Sequence, residues 1–126
     1  MTNNPARPLH LRIALFGDFA IGPGKADLLE GIRETGSIAA AGRRMKMSYK
    51  RAWSLVEAMN SAFREPVVET ERGGSSRGGA RLTRTGEEVL FTYRRMMDKA
   101  GEAAAPEIDT LKSMLSPDAT SDANGD

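Results

Sequence analysis

Two helical patterns meet across the two residues Lys46-Met47, and this short connection constrains the fold more than any other feature of the chain. On its N-terminal side Ser37 can cap a short helix, Ile38 to Met45, whose Arg43 and Arg44 lie in the last turn, where cations complement the helix dipole. On its C-terminal side Ser48 can cap a longer helix running to about Phe63, with Ala52, Val56, Met59 and Phe63 on one face. So tight a connection turns the second helix sharply against the first, and the alanines of the first let the pair pack closely.

The flanking segments supply the rest of a small domain. Leu11 to Phe16 alternates imperfectly and is bounded by Gly17-Asp18, with Phe19, Ala20 and Ile21 following, which reads as a short strand and a hairpin. Gly22-Pro23-Gly24 breaks that pattern. From Lys25 the positions Leu28, Leu29 and Ile32 share a helical face until Gly36 supplies a stop. After Pro66, Val67 to Thr70 reads as a strand, Gly73 to Gly79 as a mobile glycine-rich loop, and Ala80 to Thr83 as a returning strand, together a β-hairpin wing. Thr85 and Glu88 have capping-box spacing. They open a helix whose Val89, Leu90, Tyr93, Met96, Met97 and Ala100 form an apolar stripe. Pro106 interrupts, a short amphipathic stretch with Ile108, Leu111 and Leu115 follows, and from Ser116 the composition is that of a disordered tail. The expected fold is mainly α with a small β-hairpin wing, a winged helix-turn-helix closed by a long C-terminal helix. Residues 1–10 are expected to be a flexible N-terminus, 11–100 the domain proper, and 101–126 a short acidic extension.

Length and composition narrow the function classes. A chain of 126 residues, 40% hydrophobic and 28% charged, fits one globular core and leaves little room for a separate ligand domain. With no cysteine there is no disulfide framework, thiolate zinc site or cysteine nucleophile, and a reducing compartment is expected. The N-terminus lacks a signal-peptide apolar run and no segment is apolar enough to span a bilayer, so a cytoplasmic protein without membrane partners is expected. His10 is the only histidine, so no histidine-centred triad or metal cluster can be assembled, and neither catalysis nor a cofactor is expected. The net charge of +1 hides a division. Nine basic residues face four acidic ones between Ser37 and Arg81, whereas from Gly101 onward one basic residue faces six acidic ones. A basic middle with an acidic tail suits a polyanionic partner.

The candidate binding residues cluster where that basic middle meets the helix pair. Lys50 and Arg51 occupy the first turn of the second helix, where the positive dipole end opposes cations by about 0.3–1 kcal/mol each unless an anion is near. In such a helix pair the opening residues of the second helix reach base edges in the major groove, which makes Ser48, Tyr49, Lys50, Arg51 and Ser54 candidates for contact with double-stranded DNA. Trp53 has two readings, a core aromatic or a groove contact through its indole N–H. Ser37, Arg43, Arg44 and Lys46 are candidates for the DNA backbone, as are Arg72, Arg77 and Arg81 on the wing. The glycine-rich loop is no nucleotide cradle, since it lacks the GxxxxGK[ST] pattern and joins two strands.

With these segments assembled, the chain from about Leu11 to Lys99 resembles the N-terminal DNA-binding domain of the molybdate-dependent transcriptional regulators of the ModE family. That winged helix-turn-helix is itself similar to the one in LysR-type regulators. The resemblance rests on Leu28-Leu29-Glu30, Thr35-Gly36-Ser37-Ile38, Met47-Ser48-Tyr49-Lys50-Arg51-Ala52-Trp53, Met59-Asn60, and Gly78-Gly79-Ala80-Arg81-Leu82-Thr83 with Gly86. It implies a homodimer on a pseudo-palindromic operator, paired through the long helix by Val89, Leu90, Tyr93, Met96 and Met97. Family members sense molybdate in C-terminal β-barrel modules. Gly101 to Asp126 leaves no room for one, so direct molybdate sensing is not expected. A protein-interaction module that pairs with or titrates another regulator is the alternative reading, and an oxyanion-binding enzyme or carrier a third.

Overall fold

The computed structural model describes residues 9–71 and 79–118. The chain opens with a hairpin of β1 (Ile13–Phe16) and β2 (Phe19–Ile21), antiparallel with Ile13 opposite Ile21. Three helices follow: α1 (Pro23–Thr35), α2 (Ile38–Arg44) and α3 (Tyr49–Ala62). A second antiparallel pair, β3 (Val68–Thr70) and β4 (Ala80–Leu82), sets Glu69 opposite Arg81. The chain then runs into the long α4 (Arg84–Ala103) and the short α5 (Ala105–Ser113). This is the expected winged helix-turn-helix, with two small hairpins around a helical core.

The core lies between α1, α2, α3, the wing strands and α4. Leu28, Leu29, Ile32, Val56, Met59, Val67 and Met97 are almost completely enclosed, each contributing about 1.5–3 kcal/mol by leaving water. Close helix contact depends on small residues. A β-carbon on Gly31 would lie 3.0 Å from Ala41 Cβ, and one on Gly42 would lie 3.1 Å from Ala52 Cβ. The connection between α2 and α3 is as tight as the sequence implies. The amides of Met45 and Met47 both donate to Gly42 O, that of Lys46 donates to Arg43 O, and Lys46 takes the left-handed conformation at φ 60°, a non-glycine strain of roughly 1–2 kcal/mol.

Several boundaries differ from the sequence reading. α1 begins at Pro23, two residues before Lys25, because proline's fixed φ suits the first helical turn, where no amide donor is required. α4 is capped by Thr83, whose hydroxyl oxygen accepts from the Gly86 amide at 2.9 Å. Thr85, the expected cap, lies inside the helix and donates to Glu65 at 3.2 Å. Pro106 starts α5 within a turn of the end of α4 and does not disrupt the segment, for the same reason as Pro23. Ser37 and Ser48 cap α2 and α3 as read, accepting from the Ala40 and Arg51 amides at 3.0 Å each.

The long helix brings the main correction. Leu90, Tyr93 and Met97 are buried within the chain's own core, and the Tyr93 hydroxyl donates to Leu11 O at 2.6 Å. The surface they were expected to lend to a partner is consumed in holding α4 to the body. Val89 is half-buried and Met96 is exposed, so these two alone of the five present apolar surface outward.

Candidate nucleic-acid interface

The exposed side of α3 forms the centre of the candidate site. Ser48, Tyr49, Lys50, Arg51 and Ser54 are all exposed on its first two turns, as the sequence reading placed them. No acidic residue lies in that turn. Among the described residues no ion pair neutralises Lys50, Arg51, Arg43 or Lys46. Trp53 has features of both readings. It is half-buried against the core, and Tyr49 meets it edge-on with ring centroids 6.3 Å apart. The pair stiffens the start of the helix beside the two cations.

The backbone candidates divide. Arg43 and Lys46 are exposed in the last turn of α2 and the connection after it. Arg44 donates to Glu34 at 2.7 Å, and this hydrogen bond holds the Glu34 carboxyl below its ordinary range. Arg81 likewise pairs with its cross-strand neighbour Glu69 at 2.9 Å, so part of its charge is already compensated. Arg72 and Arg77 lie outside the described residues.

The wing is tied to the helix pair at two points. On one side, Ser37 bridges to Gly79 and the Ala80 amide donates to Gly36 O at 2.8 Å, fastening β4 to the corner between α1 and α2. On the other, Asn60 of α3 spans to β3. Its Oδ1 accepts from the Val67 and Val68 amides at 2.7 and 3.2 Å, and its Nδ2 donates to Val68 O at 3.1 Å. One side chain of α3 thus holds the strand segment of the wing through three hydrogen bonds. In the sequence, Asn60 stands out only within the Met59-Asn60 element of the ModE-like pattern. An asparagine on a half-buried helix position facing an extended segment was the available signal, since its amide copies a backbone group.

On the opposite side, Arg94 of α4 donates to Asp27 at 2.9 Å and also to the buried Glu30, both on α1. Burial works against the Arg94 charge, but the two carboxylates outweigh it and hold the group protonated. α4 is thereby locked to α1 by charge as well as by packing.

No family model matches the chain. Among curated proteins it is 45% identical over 73 residues to the molybdenum-pterin-binding protein MopB of Rhodobacter capsulatus, covering 58% of this chain and 27% of that protein. It is 38% identical over 104 residues to the transcriptional regulator ModE of Yersinia pestis, covering 82% of this chain and 36% of that one. It is 36% identical over 85 residues to the DNA-binding transcriptional dual regulator ModE of Escherichia coli K12, covering 68% and 31%. Its relatives include ModE transcriptional regulators. Across these three ModE and Mop proteins the chain spans only 27–36% of the relative's length. Two solved structures share its fold. One is the CbnR DBD in complex with DNA (TM-score 0.54, 23% identity, covering 70% of this chain and 95% of that one). The other is VV2_1132, a LysR family transcriptional regulator (TM-score 0.53, 13% identity, covering 74% and 30%). Among the described residues no helix is long and apolar enough to cross a membrane.

Proposed function

We propose that this chain is a transcription regulator acting in the cytoplasm, binding double-stranded DNA with α3 in the major groove. The exposed, acid-free start of α3 carries the reading, because Lys50 and Arg51 stand there with no internal counter-charge among the described residues. Ser48, Tyr49 and Ser54, with the outer edge of Trp53, complete a surface able to donate to guanine and phosphate acceptors. Ser37, Arg43, Arg44 and Lys46 serve the backbone, as do the wing arginines Arg72, Arg77 and Arg81. The functional unit runs from residue 11 to 100, and neither an enzymatic step nor a bound cofactor is part of it.

The regulator acts as a homodimer on a pseudo-palindromic operator. Exposed apolar surface on and beside α4 supports pairing. Val89 and Met96 line a groove of about 300 Å³ with Ile13, Leu15 and Phe63, and Phe91 stands 65% exposed. This surface, whose lining includes Tyr93, takes over the role first given to Leu90 and Met97.

Footprinting on genomic DNA tests the reading. A protected pseudo-palindrome, with Lys50→Ala weakening protection there, is the expected result. Absence of binding to any fragment at low salt would overturn it. The alternative, an interaction module that titrates another regulator, draws support from the exposed Leu111, Met114 and Leu115 of α5 and its C-terminal edge. It would be favoured if Lys50→Ala and Arg51→Ala left regulation intact while a regulator partner was still captured.

A further inference from the structure

Tyr49 exposes a large ring where a helix start more often carries a small polar or acidic side chain. It is the first residue of α3 and is 55% exposed. Among the described residues the other exposed large apolar side chains lie on or beside the first hairpin, α4 and α5. The helix pair therefore presents one such side chain, in the same turn as Lys50 and Arg51. Its backbone is fixed by that turn, since Ser48 Oγ accepts from the Arg51 amide and Ser48 O from the Ala52 amide, at 3.0 Å each. Its ring is fixed as well. Trp53, one turn along, is half-buried against the core and meets the Tyr49 ring edge-on, at 80° with centroids 6.3 Å apart. A ring held in this way loses little rotamer freedom when it meets a partner.

The hydroxyl does not account for the ring. Among the described residues no hydrogen bond engages Tyr49 Oη, and hydroxyls for polar contacts already stand exposed on the same two turns at Ser48 and Ser54. What Tyr49 adds is rigid apolar area at the start of the helix. In the major groove the base edges are donors and acceptors, with one apolar exception, the C5-methyl group of thymine. The opening residues of a recognition helix are the ones that reach those edges.

We propose that Tyr49 reads thymine, seating its ring against the C5-methyl group of one thymine in the major groove that α3 enters. The inference rests on the DNA-binding reading above and adds to it the identity of a base. Lys50 and Arg51 in the same turn supply donors for guanine and phosphate acceptors. The helix start thus joins an apolar reader to cationic ones, and Trp53 acts through Tyr49 as the residue that positions the ring.

The test uses the full chain and duplexes carrying the footprinted site, with each thymine replaced in turn by deoxyuridine. The exchange removes the methyl group and keeps the base pairing and the O4 acceptor. At one position it should weaken binding about fourfold in fluorescence anisotropy, the worth of one buried methyl group. In Tyr49→Ala the same exchange should have no effect, because the methyl group has lost its partner. Tyr49→Phe should keep both the parental affinity and the fourfold loss, and Lys50→Ala should bind more weakly yet retain that loss. Thermal melts confirm folding, and Tyr49→Gln replaces the alanine variant if it fails to fold. If no thymine responds to the exchange, or if the loss persists in Tyr49→Ala, in a parent that binds its site, this inference alone is overturned. Equal weakening in Tyr49→Phe and Tyr49→Ala, on thymine and deoxyuridine duplexes alike, assigns the residue to a phosphate through its hydroxyl and overturns the methyl contact. Failure of the parent to protect any site overturns the DNA reading and this inference with it.

Discussion

Replacing Asn60 with alanine should loosen the wing from α3, at a cost that can be worked out from three hydrogen bonds. Oδ1 accepts from the amides of Val67 and Val68, and Nδ2 donates to Val68 O. Val67 is fully enclosed and Val68 nearly so, hence water reaches the freed amides poorly. At about 1 kcal/mol per bond, with a further penalty where an amide stays unpaired, Asn60→Ala should lose about 3–4 kcal/mol. Against a typical total of about 5–15 kcal/mol this is a large fraction, visible as an earlier midpoint in urea followed by circular dichroism. Asn60→Asp refines the argument, because it keeps the acceptor used by both amides and loses only the donor to Val68 O. It should cost clearly less than alanine, about 1–2 kcal/mol. DNA affinity should fall in the alanine variant even well below its melting temperature, since wing and α3 no longer share a fixed angle. A loss under about 0.5 kcal/mol for Asn60→Ala, or equal losses for both variants, would refute the reasoning.

Other substitutions probe other parts of the frame. A β-carbon at position 86 would fall 2.1 Å from Val67 O, so Gly86→Ala must displace α4 or β3. It should destabilise by about 2–3 kcal/mol or give insoluble protein; a parental melting temperature would contradict this. Arg94→Met removes the cation that pairs with buried Glu30 and with Asp27 and should cost about 3–5 kcal/mol, with Glu30→Gln in the same background restoring part of the loss, as measured by urea denaturation. For Ser48, alanine should cost about 1 kcal/mol of stability and glycine only a few tenths, because the role is a helix cap. Equal DNA-binding losses in both, beyond the stability change, would assign its hydroxyl to the DNA as well.

Much of the architecture was legible because it depends on neighbours along the chain. Ser37 and Ser48 announced their helices, and the two-residue connection between them dictated the sharp turn, since capping and turn formation involve groups only a few positions apart. Where the local signal misled, packing decided. Thr85 carried the capping-box spacing, but Thr83 caps the helix, and its hydroxyl also donates to Pro66 O at 2.7 Å, binding the helix start to the wing. The exposed cations of α3 were equally readable, because a dipole mismatch is a property of position within one helix.

What the chain alone determined, then, is where α2 and α3 start, that the chain turns sharply between them, and that its middle is basic. The tertiary structure decided which side of α4 remains available. An amphipathic stripe states only that a face must be covered, and either a partner or the chain's own body satisfies it equally well. Here Tyr93 reaches back to Leu11 across 82 positions and Arg94 to Glu30 across 64, contacts that no local pattern encodes. Charges distant in sequence repel or cooperate only once folding fixes the space between them.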